Sequence, residues 1–384
     1  MSKPSFAIAL IVAAGTLAAA EPGASARRAE QPQIVSPEVH PDRTVTFRLR
    51  APNAASVSVS GEWPGGAPPM TRDNQGVWTT TADPLPPDLY GYSFSVDGLR
   101  TLDSANPAVK PMRSPTTSIL DVPAAKPMLH DFQPVPHGTV HLHEYSSKSL
   151  GKLRALRIYT PPGYDKTRTR YPVLYLFHGS GDNEATWTEL GRAHLIVDNL
   201  LAQGKAKPMI IVMSDGHALS AQPAGTNSDV RARSLTAFQR DLLEDVMPSV
   251  EKNYRIMADR EHRAIVGLSM GGGQSLAIGL NHLELFAWVG GMSSAVFDPE
   301  AALAGALKDP KATNRNLKLL WFACGTSDRL LGNSQQLDQL LTRNGIKHEF
   351  HQTEGNHSWP VWRRYLADFA PRLFVGKKQR PFRL

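Results

Sequence analysis

The 384-residue sequence predicts an α/β chain, a doubly wound sheet wrapped by helices and preceded by a small all-β sandwich. Three observations carry that expectation. From about residue 140 onward, apolar runs of strand length alternate with helical stretches, as in a parallel sheet covered on both faces. From about residue 34 to 122, apolar residues alternate singly with polar ones between closely spaced turns, as in a half-buried antiparallel sandwich. Between these patterns, Pro107–Pro127 and Pro134-Val-Pro136 form a proline-rich stretch read as a semi-rigid linker.

In chain order, the first 26 residues read as a signal peptide. Lys3 supplies the positive start, and Phe6–Ala20 is an apolar run too short to span a bilayer comfortably. Small residues then offer cleavage after Ala20 or after Ala26. The mature protein is therefore expected outside the cytoplasm, secreted or periplasmic, with no membrane contact after signal cleavage. Cys324 is the single cysteine, so no intramolecular disulfide forms, and its place in the apolar run Leu319–Cys324 marks it as a core residue. The formal charge of +7 comes from scattered basic residues. Only Lys377, Lys378, Arg380 and Arg383 cluster, in a solvated terminus, so no nucleic-acid partner is expected.

Residues 30–125 are assigned to the sandwich. Val45, Phe47 and Leu49 alternate with polar neighbours, as do Val57 and Val59, and Tyr90, Tyr92, Phe94 and Val96. Pro52-Asn53, Pro64-Gly-Gly66, Asp73-Asn74 and Asp97-Gly98 punctuate these runs. The motifs Arg48-Leu-Arg-Ala-Pro-Asn53, Ser60-Gly-Glu-Trp63 and Asp103-Ser-Ala-Asn-Pro107 resemble the early-set, immunoglobulin-like module found beside glycogen-branching enzymes and many bacterial esterases. That resemblance implies carbohydrate contact. Trp63, Trp78, Tyr90 and Tyr92 could stack on sugar rings, but aromatics in so small a sandwich are expected mainly in its core.

A linker over 126–139 leads to a second domain, 140–384. Its strand-like runs are Val173–Phe177, Met209–Met213, Ala264–Val266 and Leu319–Ala323; the helical stretches are His194–Leu201, Leu235–Tyr254, Met270–Leu280 and Ser334–Asn344. In the longest of these, Leu235, Phe238, Leu242, Val246 and Val250 keep helical spacing and would bury one face.

Gly267-Leu-Ser-Met-Gly271 joins a strand to a helix, the context of a nucleophile elbow. Glycines on both sides permit a crowded turn that exposes Ser269, and the helix start favours developing negative charge. A serine nucleophile needs a base oriented by an acid. Gly325-Thr-Ser-Asp328 follows the strand Leu319–Cys324, and Glu354-Gly-Asn-His357 follows the next strand-like run, His348–His351. Chain order therefore designates Asp328 as the acid and His357 as the base. Asp298 and Asp309 fall on an insert, and His348 and His351 fall within a strand. The oxyanion is expected at the backbone N–H groups of Met270 and Ser180, the latter in the loop His178-Gly-Ser-Gly181, with His178 bracing that loop.

These residues, together with Asp259-Arg-Glu-His-Arg263, Gly267-Leu-Ser-Met-Gly-Gly-Gly-Gln-Ser275, Ala323-Cys-Gly-Thr326, Leu176-Phe-His-Gly179 and Asp198-Asn-Leu-Leu201, resemble the feruloyl esterase branch of family-one carbohydrate esterases. The resemblance covers most of residues 140–370. It implies an α/β-hydrolase sheet, the triad Ser269, Asp328 and His357 that chain order reaches independently, and ester hydrolysis on plant-wall polysaccharide. Arabinoxylan carrying hydroxycinnamoyl groups is the expected partner. Asp215–Arg233 and Pro299–Thr313 depart from the family pattern, so acyl and sugar preference stay open; the alternatives are an acetyl-xylan esterase, a siderophore esterase and an acyltransferase. From another class, a carbohydrate-binding protein with an inert hydrolase domain is opposed by the intact triad. Trp187 and Trp359, close in sequence to the catalytic loops, are expected to line an acyl slot, with Trp362 divided between slot and core. The triad needs no cofactor and no metal. His137, His141, His143 and Glu144 cluster without third and fourth zinc ligands at suitable spacing, as on the polar face of an edge strand.

Overall fold

The computed structural model describes residues 33–219 and 228–375. The signal peptide and the basic C-terminal cluster thus lie outside the described residues, as does part of Asp215–Arg233. The sandwich alternation builds strands Val45–Arg50, Val57–Gly61 and Asp88–Val96. One sheet joins Glu38–Val39, Val45–Arg50, Val77–Ala82 and Thr71–Arg72; in the other, Asp88–Val96 pairs with Val57–Gly61, Leu99–Thr101 and Ser118–Val122. Phe47 stacks on Trp63 with ring centroids 5.3 Å apart, and Trp63, Tyr90 and Tyr92 are all buried in this core. Only Trp78 of the four candidate sugar-stacking rings is part-exposed, with Arg72 over its face.

The proline-rich run Pro107–Pro127 is not a spacer. It contains the strand Ser118–Val122, paired antiparallel with Asp88–Tyr92, because proline is tolerated around a strand whose own residues keep their N–H groups. The following stretch is also packed: Asn199 donates to the carbonyls of Leu129 and Asp131 at 2.8 and 3.0 Å. Sandwich and sheet domain belong to one compact unit.

The second domain is an α/β-hydrolase sheet of eight strands. From one edge the order is Glu349–Thr353, Leu319–Gly325, Trp288–Met292, Arg263–Gly267, Val173–Phe177, Ile210–Ser214, Lys152–Thr160 and Thr139–Ser147. The first six run parallel, and the last two are antiparallel additions. Val173, Tyr175 and Phe177 face one apolar cluster while Leu174 and Leu176 face another, so the central strand is buried on both sides. The apolar stripe predicted over Leu235–Tyr254 packs as expected at Phe238, Leu242, Val246 and Val250. Its helix widens into a π-turn at Asp241–Val246, just before Pro248, which has no N–H to offer the preceding turn. Among the described residues no helix is long and apolar enough to cross a membrane.

Candidate active site

Four parallel strands deliver chemistry to one edge of the sheet, their C-terminal ends. Strand Arg263–Gly267 ends at Ser269, which adopts φ 51° and ψ −114° before helix Met270–Asn281 begins. A residue with a side chain stays in so sparse a region only where its surroundings impose it. Here the Ser269 N–H donates to Met292 O at 2.8 Å, and Ser269 O accepts from Gly273 N at 3.0 Å and Ala295 N at 2.9 Å. The flanking glycines are sterically required. A Cβ on Gly267 would stand 2.5 Å from the Gly271 backbone, and one on Gly271 would stand 2.4 Å from His178 O.

Asp328 sits in the turn after Leu319–Gly325, and His357 in the loop between Glu349–Thr353 and helix Trp359–Phe369. His357 Nδ1 lies 2.9 and 3.0 Å from the two Asp328 oxygens, and its Nε2 lies 3.0 Å from Ser269 Oγ. A carboxylate only accepts, so Nδ1 carries the proton and Nε2 is left to accept from the serine hydroxyl. Burial works to raise the Asp328 carboxyl. The hydrogen bonds from His357, Leu330 N–H and Ser293 outweigh it and hold the carboxyl below its usual range. Asp328 therefore stays ionised opposite the imidazole.

The candidate oxyanion loop, His178–Gly181, follows strand Val173–Phe177, whose Phe177 is level with Gly267 of the elbow strand. A Cβ on Gly179 would lie 2.7 Å from Leu268 Cδ1 and 3.5 Å from Ser269 Cβ, so the loop rests on the Ser269 turn. The Gly181 N–H donates to His217 Nε2 at 3.1 Å and the Asp182 N–H to Gly179 O at 3.3 Å. Among the described residues no partner takes the Ser180 N–H, and Met270, first in its helix, has no intrahelical acceptor. His178 braces the loop: its Nε2 accepts from Gly216 N–H at 2.9 Å, which leaves Nδ1–H to donate to Gly179 O at 2.8 Å.

Residues 147–373 match the family model described as putative esterase. The chain belongs to this putative esterase family. Residues 35–108 match carbohydrate-binding module 48, the isoamylase N-terminal domain. Over 357 residues the chain is 34% identical to an endo-1,4-beta-xylanase/feruloyl esterase of Xylanibacter ruminicola, covering 90% of this chain and 46% of that protein. The chain thus spans about half the length of curated relatives it matches. A CE1 ferulic acid esterase from the anaerobic fungus Anaeromyces mucronatus is similar in structure, with a TM-score of 0.56 and 29% identity over 64% of this chain and 94% of that one. The enterobactin esterase of Shigella flexneri shares the fold over 85% of this chain and 92% of its own, with a TM-score of 0.61 at 18% identity.

Within this esterase fold, the two tryptophans expected to line an acyl slot are elsewhere. Trp187 is 1% exposed and Trp359 0%, their rings meeting edge to face at 5.0 Å beneath the catalytic loops. Trp187 Nε1 donates to Phe177 O at 3.0 Å, supporting the strand end that bears the oxyanion loop. Closeness in sequence to a loop does not say which side of it a ring occupies, and here the apolar side won both. Trp362 contacts the site from behind. Its ring stands edge-on to His357 at 4.9 Å, and its Nε1 donates to Ser293 Oγ at 3.1 Å. Ser293 joins the site without a sequence signal. It follows strand Trp288–Met292 at φ 47°, fully buried, and no local pattern distinguishes it, because its role comes from the strand's place between nucleophile and acid.

The other candidates have separate duties. Asp298 and Asp309 cap short helices, accepting from Ala301 and Ala312 N–H. His351 belongs to the edge strand, while His348, just before it, contacts Asp338 at 2.8 Å. His141 and His143 share one face of edge strand Thr139–Ser147, contacting Thr160 Oγ1 and the Tyr254 hydroxyl, while His137 contacts Asp198 at 3.0 Å. Cys324 is fully buried and its thiol pushed up to about 11, mainly by that burial.

Proposed function

We propose that this chain is an exported serine carboxylesterase that hydrolyses acyl esters on plant-wall polysaccharide, with hydroxycinnamoyl groups preferred. The observation that carries the chemistry is the aligned relay: Ser269 Oγ 3.0 Å from His357 Nε2, and His357 Nδ1 within 3.0 Å of both Asp328 oxygens. His357 takes the Ser269 proton as the hydroxyl oxygen attacks the ester carbonyl. The N–H groups of Ser180 and Met270 receive the oxyanion, and Asp328 stabilises the imidazolium and fixes its tautomer. On collapse, His357 returns the proton to the leaving alcohol and leaves an acyl-serine. Water, deprotonated by His357, then attacks that ester and releases the acid and free Ser269.

The substrate class rests on the relatives. Proteins named feruloyl or ferulic acid esterase match at 34% and 29% identity, and a carbohydrate-binding module precedes the esterase domain. Since Trp187 and Trp359 are core residues, the tryptophans do not contribute to this argument. The test compares methyl ferulate with methyl acetate, which share a leaving alcohol. Burying an aromatic acyl ring should gain roughly 2–3 kcal/mol over acetyl, or about 30–150-fold in kcat/KM. Equal rates, or cleavage of acetylated xylan alone, would replace the hydroxycinnamoyl reading with an acetyl-xylan esterase. Preferential cleavage of a siderophore ester, or acyl transfer to an added alcohol in preference to water, would point to the remaining alternatives.

A further inference from the structure

His357 must reach back across the sheet. Its loop leaves the edge strand Glu349–Thr353, three strands from the elbow strand, a lateral span on the order of 14 Å at ordinary strand spacing. Two residues after His357, helix Trp359–Phe369 begins without help from its own sequence: Ser358 makes no side-chain cap, and Pro360 has no N–H. The sandwich supplies what is missing. Glu62 Oε1 accepts the Trp359 N–H at 3.0 Å from 297 residues away, and Glu62 Oε2 accepts the Gly91 N–H at 2.6 Å within the sandwich. One carboxylate thus joins the sandwich backbone to the start of the helix that follows the base.

Neighbouring contacts hold the same join. Arg363, one turn along the helix, pairs with sandwich Asp88 at 2.5 Å, donates to Leu89 O, and donates to Leu190 O at 2.7 Å. Lys110, also from the sandwich domain, places its Nζ 2.6 Å from Asp182 beside the oxyanion loop and 5.7 Å over the Trp359 ring. Burial raises the Glu62 carboxyl, opposed by Lys110, the Gly91 and Trp359 amides and Arg363. A carboxylate at a helix N-terminus also complements the helix dipole.

We propose that Glu62 is a positioning residue for His357, so that the carbohydrate-binding-type sandwich is a working part of the esterase centre. This rests on the Ser269–His357–Asp328 reading. The test uses the full chain, a soluble aryl ester, and active sites counted by titration with a fluorophosphonate, so that kcat is expressed per reactive serine. Glu62→Ala should lower kcat per site about tenfold, the scale of losing a helix cap, with KM within about twofold. Glu62→Gln, whose single acceptor oxygen serves only one of the two N–H donors, should fall between Ala and wild type. Leu49→Ala, inside the sandwich core but on the sheet that does not carry Glu62, should lower the melting temperature and leave kcat per site unchanged. Wild-type kcat per site in Glu62→Ala, or an equal loss in Leu49→Ala, would overturn the proposal. Should Glu62→Ala not fold, Glu62→Gln decides: at least a threefold loss supports the proposal, and wild-type kcat overturns it. A parallel Ser269→Ala variant that kept turnover would sink the triad reading itself, whatever Glu62 does.

Discussion

Ser269 and His357, the proposed nucleophile and base, are held in different ways. Ser269 is framed by a strand before it, a helix after it, two glycines whose missing Cβ atoms leave room for the Gly271 and His178 backbones, and backbone hydrogen bonds to Met292 and Ala295. His357 sits on a loop from the edge strand, and the helix after it is started by Glu62 and tied by Asp88, both from the sandwich. The elbow's supporting contacts come from within the sheet domain, whereas the histidine loop also takes them from the sandwich, so perturbations at the two ends of one hydrogen bond should differ in kind.

The largest expected effect is at the nucleophile. Ser269→Ala should lower kcat by on the order of 10⁴–10⁶ with an unchanged melting temperature, since the hydroxyl reacts and does not pack. A variant keeping a tenth of wild-type kcat would end the assignment. Next comes the elbow's steric frame. Gly271→Ala drives a methyl to 2.4 Å from His178 O and 2.8 Å from Phe177 Cβ, and should destabilise the fold by about 1–3 kcal/mol, read from urea midpoints. A midpoint equal to wild type would show that the elbow is looser than its contacts imply.

At the histidine end, Trp362→Phe keeps a ring against His357 but removes the donor to Ser293. We expect kcat to fall roughly 5–30-fold and the melting temperature to fall by a few degrees, since a buried acceptor left unpaired costs about 1–2 kcal/mol. An unchanged kcat would show that Ser293 holds its place without the indole.

The smallest expected effect is a pH dependence at His217, which accepts the Gly181 N–H from the loop after Val173–Phe177. Burial above all holds His217 down to about 4 from the ordinary 6.5. Between those values the unfolded chain binds a proton that the folded loop refuses. The stability of the neutral form is therefore complete above about pH 6.5 and is lost as pH falls towards 4. For this part-exposed ring the loss should be on the order of 1 kcal/mol after solvent screening. His217→Gln should flatten the fall in urea midpoints between pH 6.5 and 4, and an unaltered slope would assign the acid sensitivity to other groups.

The elbow was legible because Gly267-Leu-Ser-Met-Gly271 is a local steric solution between a strand and a helix. Asp328 and His357 were legible because successive parallel strands present their following loops along one edge. The helical stripe from Phe238 to Val250 was equally plain, although the π-turn ahead of Pro248 was not. Trp187 and Trp359 were placed on the wrong side of their loops: sequence proximity carries no information about which face of a turn a ring will occupy. The strand Ser118–Val122 was hidden by prolines on either side of it, and Ser293 had no signal at all.

By itself, then, the chain determines the two domain types, the strand–helix alternation and the order in which Ser269, Asp328 and His357 follow successive strands, all of which follow from periodicity and backbone sterics over a few residues. Tertiary structure alone decides that the indole pair forms a floor of core beneath the loops, that Ser293 and Trp362 stand behind the acid and the base, and that Glu62 starts the helix following His357. The Trp362–Ser293 and Glu62–Trp359 bonds join residues 69 and 297 positions apart. Their energies exist only once distant backbone and side-chain groups have lost water and found each other, and no local pattern records that exchange.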